Sequence, residues 1–477
     1  MDIHFETIGC RLNQIESESA ARFFSDNGFS VSMSPFTAKT PKDSGTYLCV
    51  VNTCAVTQKA EQKDRRIIRL ILEKLPSCCV VVTGCYAQLS KDNINSMDKR
   101  IACLPGQMKN RLLGVAAELK KTLKKNNFNA ETFASFLRET LFLLPQKNKG
   151  YSEDAFSLST DSFMNHSRAS IKIQDGCNFS CSYCAIHSAR GRSVSLDAGT
   201  VLERIKLLEK AGQNEVVFTT VNIAQYKGFY NGDYIDFPHL LQLCLKNTKT
   251  VSFRISSLYP DIVDEYFCEV IKNKRVRPHF HMSIQSGSEK ILKAMCRPYS
   301  PGGMEKACAM LRKAKKNAFL ACDIITGFPG ETDEDFQDTL ELCKRCDFSW
   351  VHVFPFSARP KTAAKNMKNQ VPQEKSSERA ALLSSWASEN KRKYIESCRG
   401  KIFEAILENA RKTVFYTEEN ERKVFHAVTE NFLHCEILGN SENSFLKQGD
   451  IVKVRILKPI CNDMKKGGEI DCIGEFA

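Results

Sequence analysis

The sequence predicts an α/β protein in three parts: an N-terminal α/β domain built on a parallel sheet, a central partial (β/α)6 barrel, and a small antiparallel β-barrel at the C-terminus. Three observations predict it. The middle of the chain alternates β-branched runs with amphipathic stretches of ten or more residues, the pattern of parallel βα units. The N-terminal part repeats that grammar more briefly, and each of its strand-like runs leads directly into a cysteine. After Arg399 the pattern changes to short alternating segments separated by Asn, Gly and Lys, as in a small barrel. The expected divisions are 1–150, 160–395 and 396–477.

In chain order, the first strands are DIHFETIG, YLCVVNT and CCVVVTG, running into Cys10, Cys54 and Cys85. From about 105 to 165 a lysine-rich amphipathic helix precedes the polar stretch QKNKGYSEDAFSLSTDSF, and the whole reads as a connector with a boundary near 150 to 165. Six strands follow: RASIKIQ, EVVFTTVN, VSFRISS, HFHMSIQ, FLACDIITG and WVHVFPFS. Between them lie helical patterns such as LDAGTVLERIKLLEKAG, with Leu202, Ile205 and Leu208 on one face and Gly212 as the stop. Six βα units make an open, partial barrel whose chemistry belongs at the C-terminal strand ends. The last part, with IFEAILE, VFHAVTE, HCEILG and DIVKVRILKP, supplies the barrel strands.

The 477 residues, 42 % hydrophobic, suffice for two or three cores. No secretory signal pattern or membrane-span-length apolar run is visible, so a cytoplasmic location and reduced thiols are expected for the 21 cysteines. Cys244, Cys268, Cys308, Cys322, Cys343, Cys398 and Cys435 stand singly in apolar stretches and read as small core residues. The net charge of +13, with basic clusters at KKTLKK, at RPKTAAKNMK and at KRKYIESCRGK, favours a polyanionic partner, nucleic acid first.

The segment CNFSCSYC lies just beyond the first strand of the central barrel. Zinc competes for Cys177, Cys181 and Cys184, but needs a fourth ligand, and His187 would give a spacing unlike common zinc sites. Three thiolates suit a cubane iron–sulfur cluster that keeps one iron open to an exogenous ligand. Gly176 permits the tight loop, and Phe179 and Tyr183 can shield a cluster from water. At the N-terminus, Cys10, Cys54 and Cys85 can meet at one sheet edge, although Cys49, Cys78, Cys79 and Cys103 remain alternatives.

The spacing C-x3-C-x2-C at the end of strand one of six βα units resembles the radical S-adenosylmethionine superfamily. That resemblance implies a 4Fe–4S cluster on Cys177, Cys181 and Cys184, with S-adenosylmethionine on the open iron as the source of a 5′-deoxyadenosyl radical. DIITGFPGE, with Gly327 and Glu331, is similar to the superfamily's glycine-containing motif beside the nucleoside. FTTVN, with Thr220 and Asn222, corresponds to the segment near the methionine end.

The segments TIGCRLNQIESE, VNTCAVTQKAEQKDRRIIR and VVTGCYAQ resemble the N-terminal domain of the methylthiotransferases, with Cys10, Cys54 and Cys85 where that family places its auxiliary-cluster ligands. Further matches run through CAIHSARGRSVS, RISSLYP, HMSIQSGSEKILKAMCRPYS and HVFPFSARPKTAA, and the C-terminal barrel resembles the RNA-binding TRAM domain. Among the branches, TIGCRLNQIESE, NTCAVTQKA, GCYAQ and ARGRS are most similar to the tRNA threonylcarbamoyladenosine methylthiotransferases. His187 in place of the usual proline, extra residues around Ser34 to Lys42, and a longer connector depart from the pattern.

The resemblance implies two 4Fe–4S clusters, two S-adenosylmethionine molecules per turnover, a reducing electron donor, and tRNA bound through its anticodon loop. The implied product is 2-methylthio-N6-threonylcarbamoyladenosine. Arg190, Arg192 and Arg297 are candidates for contacts near the site. Isopentenyladenosine in tRNA, a ribosomal-protein aspartate, and a non-catalytic iron–sulfur RNA-binding or sensor role stand as alternatives; the sequence is silent on oligomeric state.

Overall fold

In the computed structural model, residues 1–43, 45–143, 155–158, 167–408, 415–417, 420–422, 424–439, 445–460 and 470–477 are described. The N-terminal sheet comprises β1 (Asp2–Thr7), β2 (Ser30–Ser32), β3 (Thr46–Thr53), β4 (Cys79–Gly84) and β5 (Ile101–Cys103), ordered β2-β1-β3-β4-β5 and parallel throughout. Both faces are buried, as parallel sheets require. Alternate residues divide between them: Leu48, Val50, Cys79 and Val81 pack on one side, Cys49, Val51, Val80 and Val82 on the other. The sheet explains why Cys49, Cys78, Cys79 and Cys103 are fully buried core residues.

The stretch expected to be a connector departs from expectation. Residues 106–143 form helices whose Leu112, Val115, Leu119 and Phe133 complete one face of the N-terminal core. The amphipathic pattern read there was a core-facing one, and the lysines are its solvent face. The polar stretch QKNKGYSEDAFSLSTDSF and the boundary near 150 to 165 lie, apart from 155–158, outside the described residues.

All six central strands form where expected. They are β6 (Ala169–Lys172), with the short antiparallel pair β7 (Gln174–Asp175) and β8 (Val194–Ser195) beyond it, and β9 (Glu215–Thr219), followed by the hairpin of β10 (Gly228–Tyr230) and β11 (Asp233–Ile235). Then come β12 (Ser252–Ile255), β13 (His279–Gln285), β14 (Phe319–Thr326) and β15 (Trp350–Pro355). They make two parallel three-stranded sheets, β6-β9-β12 and β13-β14-β15, joined by isolated bridges Phe253–Val276 and Leu258–Met282. One continuous hydrophobic core underlies both halves, and Cys244, Cys268, Cys308, Cys322 and Cys343 belong to it.

The helix Gln373–Cys398 crosses the expected division at 395/396 and leads into the last unit. Here β16 (Ile402–Leu407), the hairpin of β17 (Phe415–Thr417) and β18 (Asn420–Arg422), β19 (Val424–Thr429), β20 (His434–Leu438), β21 (Ile451–Pro459) and β22 (Cys472–Phe476) appear, and the closed ring runs β16-β19-β20-β22-β21. It is not wholly antiparallel: β20 and β22 run parallel. Five strands cannot alternate direction all the way round a ring, so closure forces one parallel pair. The ring docks at the N-terminal ends of the central strands, where Phe319, Ala321, Ile395 and Cys398 join its core, Arg277 pairs with Glu404 at 2.6 Å, and Arg168 pairs with Glu408 at 2.7 Å. Among the described residues, no ion pair or shared core residue joins the ring to the opposite, C-terminal strand ends.

Candidate active site

Cys177, Cys181 and Cys184 sit in the loop between β7 and the helix Ile186–Arg190. Gly176 has φ +68°, and a Cβ there would stand 1.9 Å from the Arg192 carbonyl oxygen, so only glycine lets the loop turn back on itself. Gln174 fixes its base: its Oε1 accepts from the Val221 and Asn222 amides at 3.0 and 2.9 Å, and its Nε2 donates to the Gly176 carbonyl at 2.7 Å. Each thiol receives a donor. The Phe179 amide reaches Cys177 Sγ and the Ile186 amide reaches Cys184 Sγ, both at 3.4 Å, while Arg297 lies 3.4 Å from Cys181 Sγ. Asn222 Nδ2 adds a longer contact to Cys177 at 3.7 Å. Donors aimed at sulfur favour its anionic form.

Burial, with a smaller contribution from the nearby Cys181 and Cys177, pushes the Cys184 thiol up to about 12. A thiol so placed becomes a ligand when a metal takes the proton's place. His187 is exposed and directs Nδ1 to the Cys177 carbonyl at 2.9 Å, holding the loop's backbone. Phe179 packs edge-on against Tyr259, with ring centroids 6.0 Å apart, and Tyr183 lies against the cluster of Ile291, Met295 and Phe328.

Cys10, Cys54 and Cys85 follow β1, β3 and β4 directly, at the C-terminal edge of the N-terminal sheet. Gly84 has φ +102°, and a Cβ would stand 2.3 Å from the Thr53 carbonyl oxygen; this close approach brings the ends of β3 and β4 together at Cys54 and Cys85. Asn13, one turn after Cys10, donates to the Ile8 and Thr53 carbonyls at 2.9 and 3.0 Å and ties the first loop to the second. The Cys54 amide donates to Asp64 at 3.1 Å. Burial pushes Cys54 up to about 12 and raises Cys85, with Cys10 contributing to both shifts, so the three thiols share one locality. Burial also brings Asp64 up to about 8.

Among the described residues no three His, Cys, Asp or Glu side chains converge as ligands of a single metal ion. A cubane asks for something different, since it takes each thiolate on a separate iron. The residues fit that group in kind: three thiols in one loop, with amide and guanidinium donors on sulfur. Two buried hydroxyls at the strand ends, Thr220 Oγ1 after β9 and Ser256 Oγ after β12, have no partner, and a polar cosubstrate would satisfy them.

The remaining candidates divide. Asn222 caps a short turn by accepting from the Ala224 amide at 3.1 Å while touching Cys177, so it belongs to the site. Glu331 turns inward, accepting from the Gly327 amide at 3.0 Å and from Arg379 at 2.6 Å; it shapes the loop after β14 and is not free to face a cosubstrate. Arg190 is likewise engaged within the protein. It donates to Asp175 at 3.0 Å, Glu16 at 3.2 Å and Asn13 at 2.7 Å. Arg297 lies over the rings of Tyr259 and Tyr299, 4.9 and 4.8 Å from their centroids, and serves Cys181. Arg192 is exposed.

Sequence reasoning missed the buried charge cluster of Glu16, Lys109, Lys172, Asp175 and Arg190, which lines a cavity with Cys85 between the N-terminal and central units. Lys172 pairs with Glu16 and Asp175, each at 3.0 Å. Burial alone would raise Glu16, but Lys109, Lys172 and Arg190 hold it well below the usual carboxylate range. No local signal in the sequence links positions so far apart.

A split half-barrel with a three-cysteine loop beyond its first strand defines a radical S-adenosylmethionine enzyme, and residues 171–343 match the family model described as the radical SAM superfamily. Residues 2–106 match that of the uncharacterized protein family UPF0004. Over 91 % of its length the chain is 40 % identical to the threonylcarbamoyladenosine tRNA methylthiotransferase MtaB of Treponema pallidum, covering 94 % of that protein. It is 32 % identical to the protein of the same name from Thermotoga maritima, over 93 % of each chain. A tRNA-2-methylthio-N(6)-dimethylallyladenosine synthase of Endomicrobium trichonymphae is 28 % identical over 95 % of this chain and 100 % of its own. The chain belongs to the radical S-adenosylmethionine methylthiotransferase family, in the branch of the threonylcarbamoyladenosine tRNA methylthiotransferases. Membership implies a 4Fe–4S cluster and S-adenosylmethionine.

Proposed function

We propose that this enzyme methylthiolates C2 of N6-threonylcarbamoyladenosine next to the anticodon of tRNA, giving 2-methylthio-N6-threonylcarbamoyladenosine. One observation carries the reading. Two separate sets of three cysteines stand at sheet edges and are spanned by one loop: the Gln58 amide, just past Cys54, donates to Ser357 Oγ at 3.1 Å, and the Ala364 amide donates to the Ser182 carbonyl, between Cys181 and Cys184, at 2.8 Å. A substrate between these loops meets both thiol sets at once. The activities named for the relatives support the substrate.

In this reading Cys177, Cys181 and Cys184 hold one 4Fe–4S cluster and Cys10, Cys54 and Cys85 a second. Bound there with S-adenosylmethionine, used twice per turnover, and an external electron donor, they supply a carbon-centred radical and a methylated sulfur, which adenine C2 needs because acid–base catalysis does not activate it. The chain's own residues do the rest. Asn222 and Arg297 fix the Cys177 and Cys181 thiolates, Thr220 and Ser256 offer hydroxyls to the cosubstrate, and Phe179 with Tyr259 keeps water from the first site. The loop base leaves its stack to enter, and basic side chains hold its flanking phosphates. The TRAM-like barrel adds RNA contacts.

Mass spectrometry of tRNA nucleosides from cells with and without the gene tests the substrate. The 2-methylthio-threonylcarbamoyl nucleoside disappears without it, and an unchanged level overturns the reading. Loss of 2-methylthio-isopentenyladenosine instead would transfer the assignment to the sister activity.

A further inference from the structure

Arg359 lies in the loop that spans the two cysteine sites, two residues after Ser357 and five before Ala364. At about 3.6 Å per residue it is within about 7 Å and 18 Å of those anchors. It is 2 % exposed. Its Nη2 donates to Glu61, on the first turn of the helix Gln58–Lys74 that follows Cys54, and the carbonyl of Arg359 itself accepts from Thr362 Oγ1 at 2.8 Å. Both ends of the residue are therefore fixed, and the guanidinium cannot swing out to water.

Among the described residues, Arg168, Arg254 and Arg379 each leave one buried nitrogen without an acceptor, and Arg359 leaves two. Nε and Nη1 are buried and have no acceptor. A guanidinium carries five donors and is always charged, and buried donors are almost always paired. Were Arg359 only a tie between the N-terminal and central units, Glu61 could have taken two of its nitrogens, as Glu215 takes Nε and Nη2 of Arg254 at 2.7 and 3.1 Å elsewhere in the molecule. Instead the carboxylate takes one nitrogen and leaves two without an acceptor, on the loop that spans the two cysteine sites.

We propose that Arg359 receives an oxyanion of the RNA substrate and so sets the modified nucleoside between the two thiol sets. This rests on the tRNA reading above and deepens it. The chemistry is that of a carboxylate or phosphate oxygen on guanidinium N–H groups. Two sources offer it: the threonyl carboxylate of the modified base and the phosphate beside that nucleoside.

The test uses the full-length, reconstituted enzyme and anticodon stem-loop RNAs carrying threonylcarbamoyladenosine, its threonyl methyl ester, or plain adenosine, with affinity read by fluorescence anisotropy. Arg359→Gln weakens binding of the first RNA by about ten- to a hundred-fold, as expected for hydrogen bonds to a charged group. If the carboxylate is the partner, the wild type prefers the acid to the ester and Arg359→Gln removes that preference. If the phosphate is the partner, all three RNAs weaken together and the salt dependence loses about one unit of slope. Iron content stays at the wild-type level while the melting temperature falls with the broken Glu61 pair; Glu61→Gln breaks the same pair but keeps the guanidinium, so it retains the wild-type order of the three RNAs, which a merely structural arginine would not allow, and it carries the comparison should Arg359→Gln fail to fold. Unchanged affinity for all three RNAs overturns the proposal. A wild-type enzyme that binds them no better than an unrelated stem-loop overturns the tRNA reading, and this role with it.

Discussion

At the scale of single residues, the two cysteine sets are built differently, and that difference yields a prediction. Cys177, Cys181 and Cys184 share one loop and own their donors, whereas Cys10, Cys54 and Cys85 come from three strand ends and rely on Asn13, Asp64 and Gly84 to meet. In the triple variant Cys10→Ala, Cys54→Ala, Cys85→Ala, iron falls by about half while reductive formation of 5′-deoxyadenosine survives, the outcome the proposal of one four-iron cluster per site requires. Iron analysis and product chromatography check it, and complete loss of 5′-deoxyadenosine would contradict independent sites. The cysteines themselves were legible from spacing. Gln174 and Asp64, which serve them, were not, because neither a glutamine nor an aspartate carries a spacing signature: Gln174 meets the amides of Val221 and Asn222, and Asp64 the amide of Cys54.

At the scale of elements, each run read as a strand is found as one, whereas β2, β5, β22 and the short pairs β7–β8, β10–β11 and β17–β18 carry too little pattern to be read. Helical amphipathicity was equally visible at residues 106–143, but which body that face would pack against is a tertiary fact, and the stretch belongs to the N-terminal core. Strand starts hide another such fact. Glu215, the first residue of β9, is 1 % exposed and pairs with Arg254 at 2.7 Å and Arg277 at 2.9 Å. Burial alone would raise its carboxyl, yet the arginines bring it from 4.5 to about 2. The folded value lies below the unfolded one, so the contribution, about 3 kcal/mol, is complete above roughly pH 5 and is lost as pH falls toward 2. Glu215→Gln strands Arg254 and Arg277 without their anion and costs about 3–5 kcal/mol. Thermal melts of both proteins between pH 3 and 7 check it: the wild type loses stability on acidification, and the variant starts lower and loses less.

At the scale of the whole molecule, the N-terminal and central units are joined by charge as well as by apolar contact. Glu16 and Lys109 come from the first unit, and Lys172, Asp175 and Arg190 from the second. Glu16→Gln leaves three cations facing one carboxylate, a loss of about 3–5 kcal/mol at this junction. Limited proteolysis reads the outcome: cleavage between the units accelerates in the variant while the closed barrel at the C-terminus resists as before. Equal cleavage rates would mean that the apolar contacts alone hold the junction.

The seat of that five-stranded ring, at the strand ends opposite the cysteine loops, has a consequence of length. Central strands of four to eight residues put roughly 13–26 Å between the two ends. An RNA that lays one base between the thiol sets and also touches the ring is gripped at two points that far apart, so the enzyme acts as a calliper, and a fragment too short to reach both jaws forfeits one grip entirely.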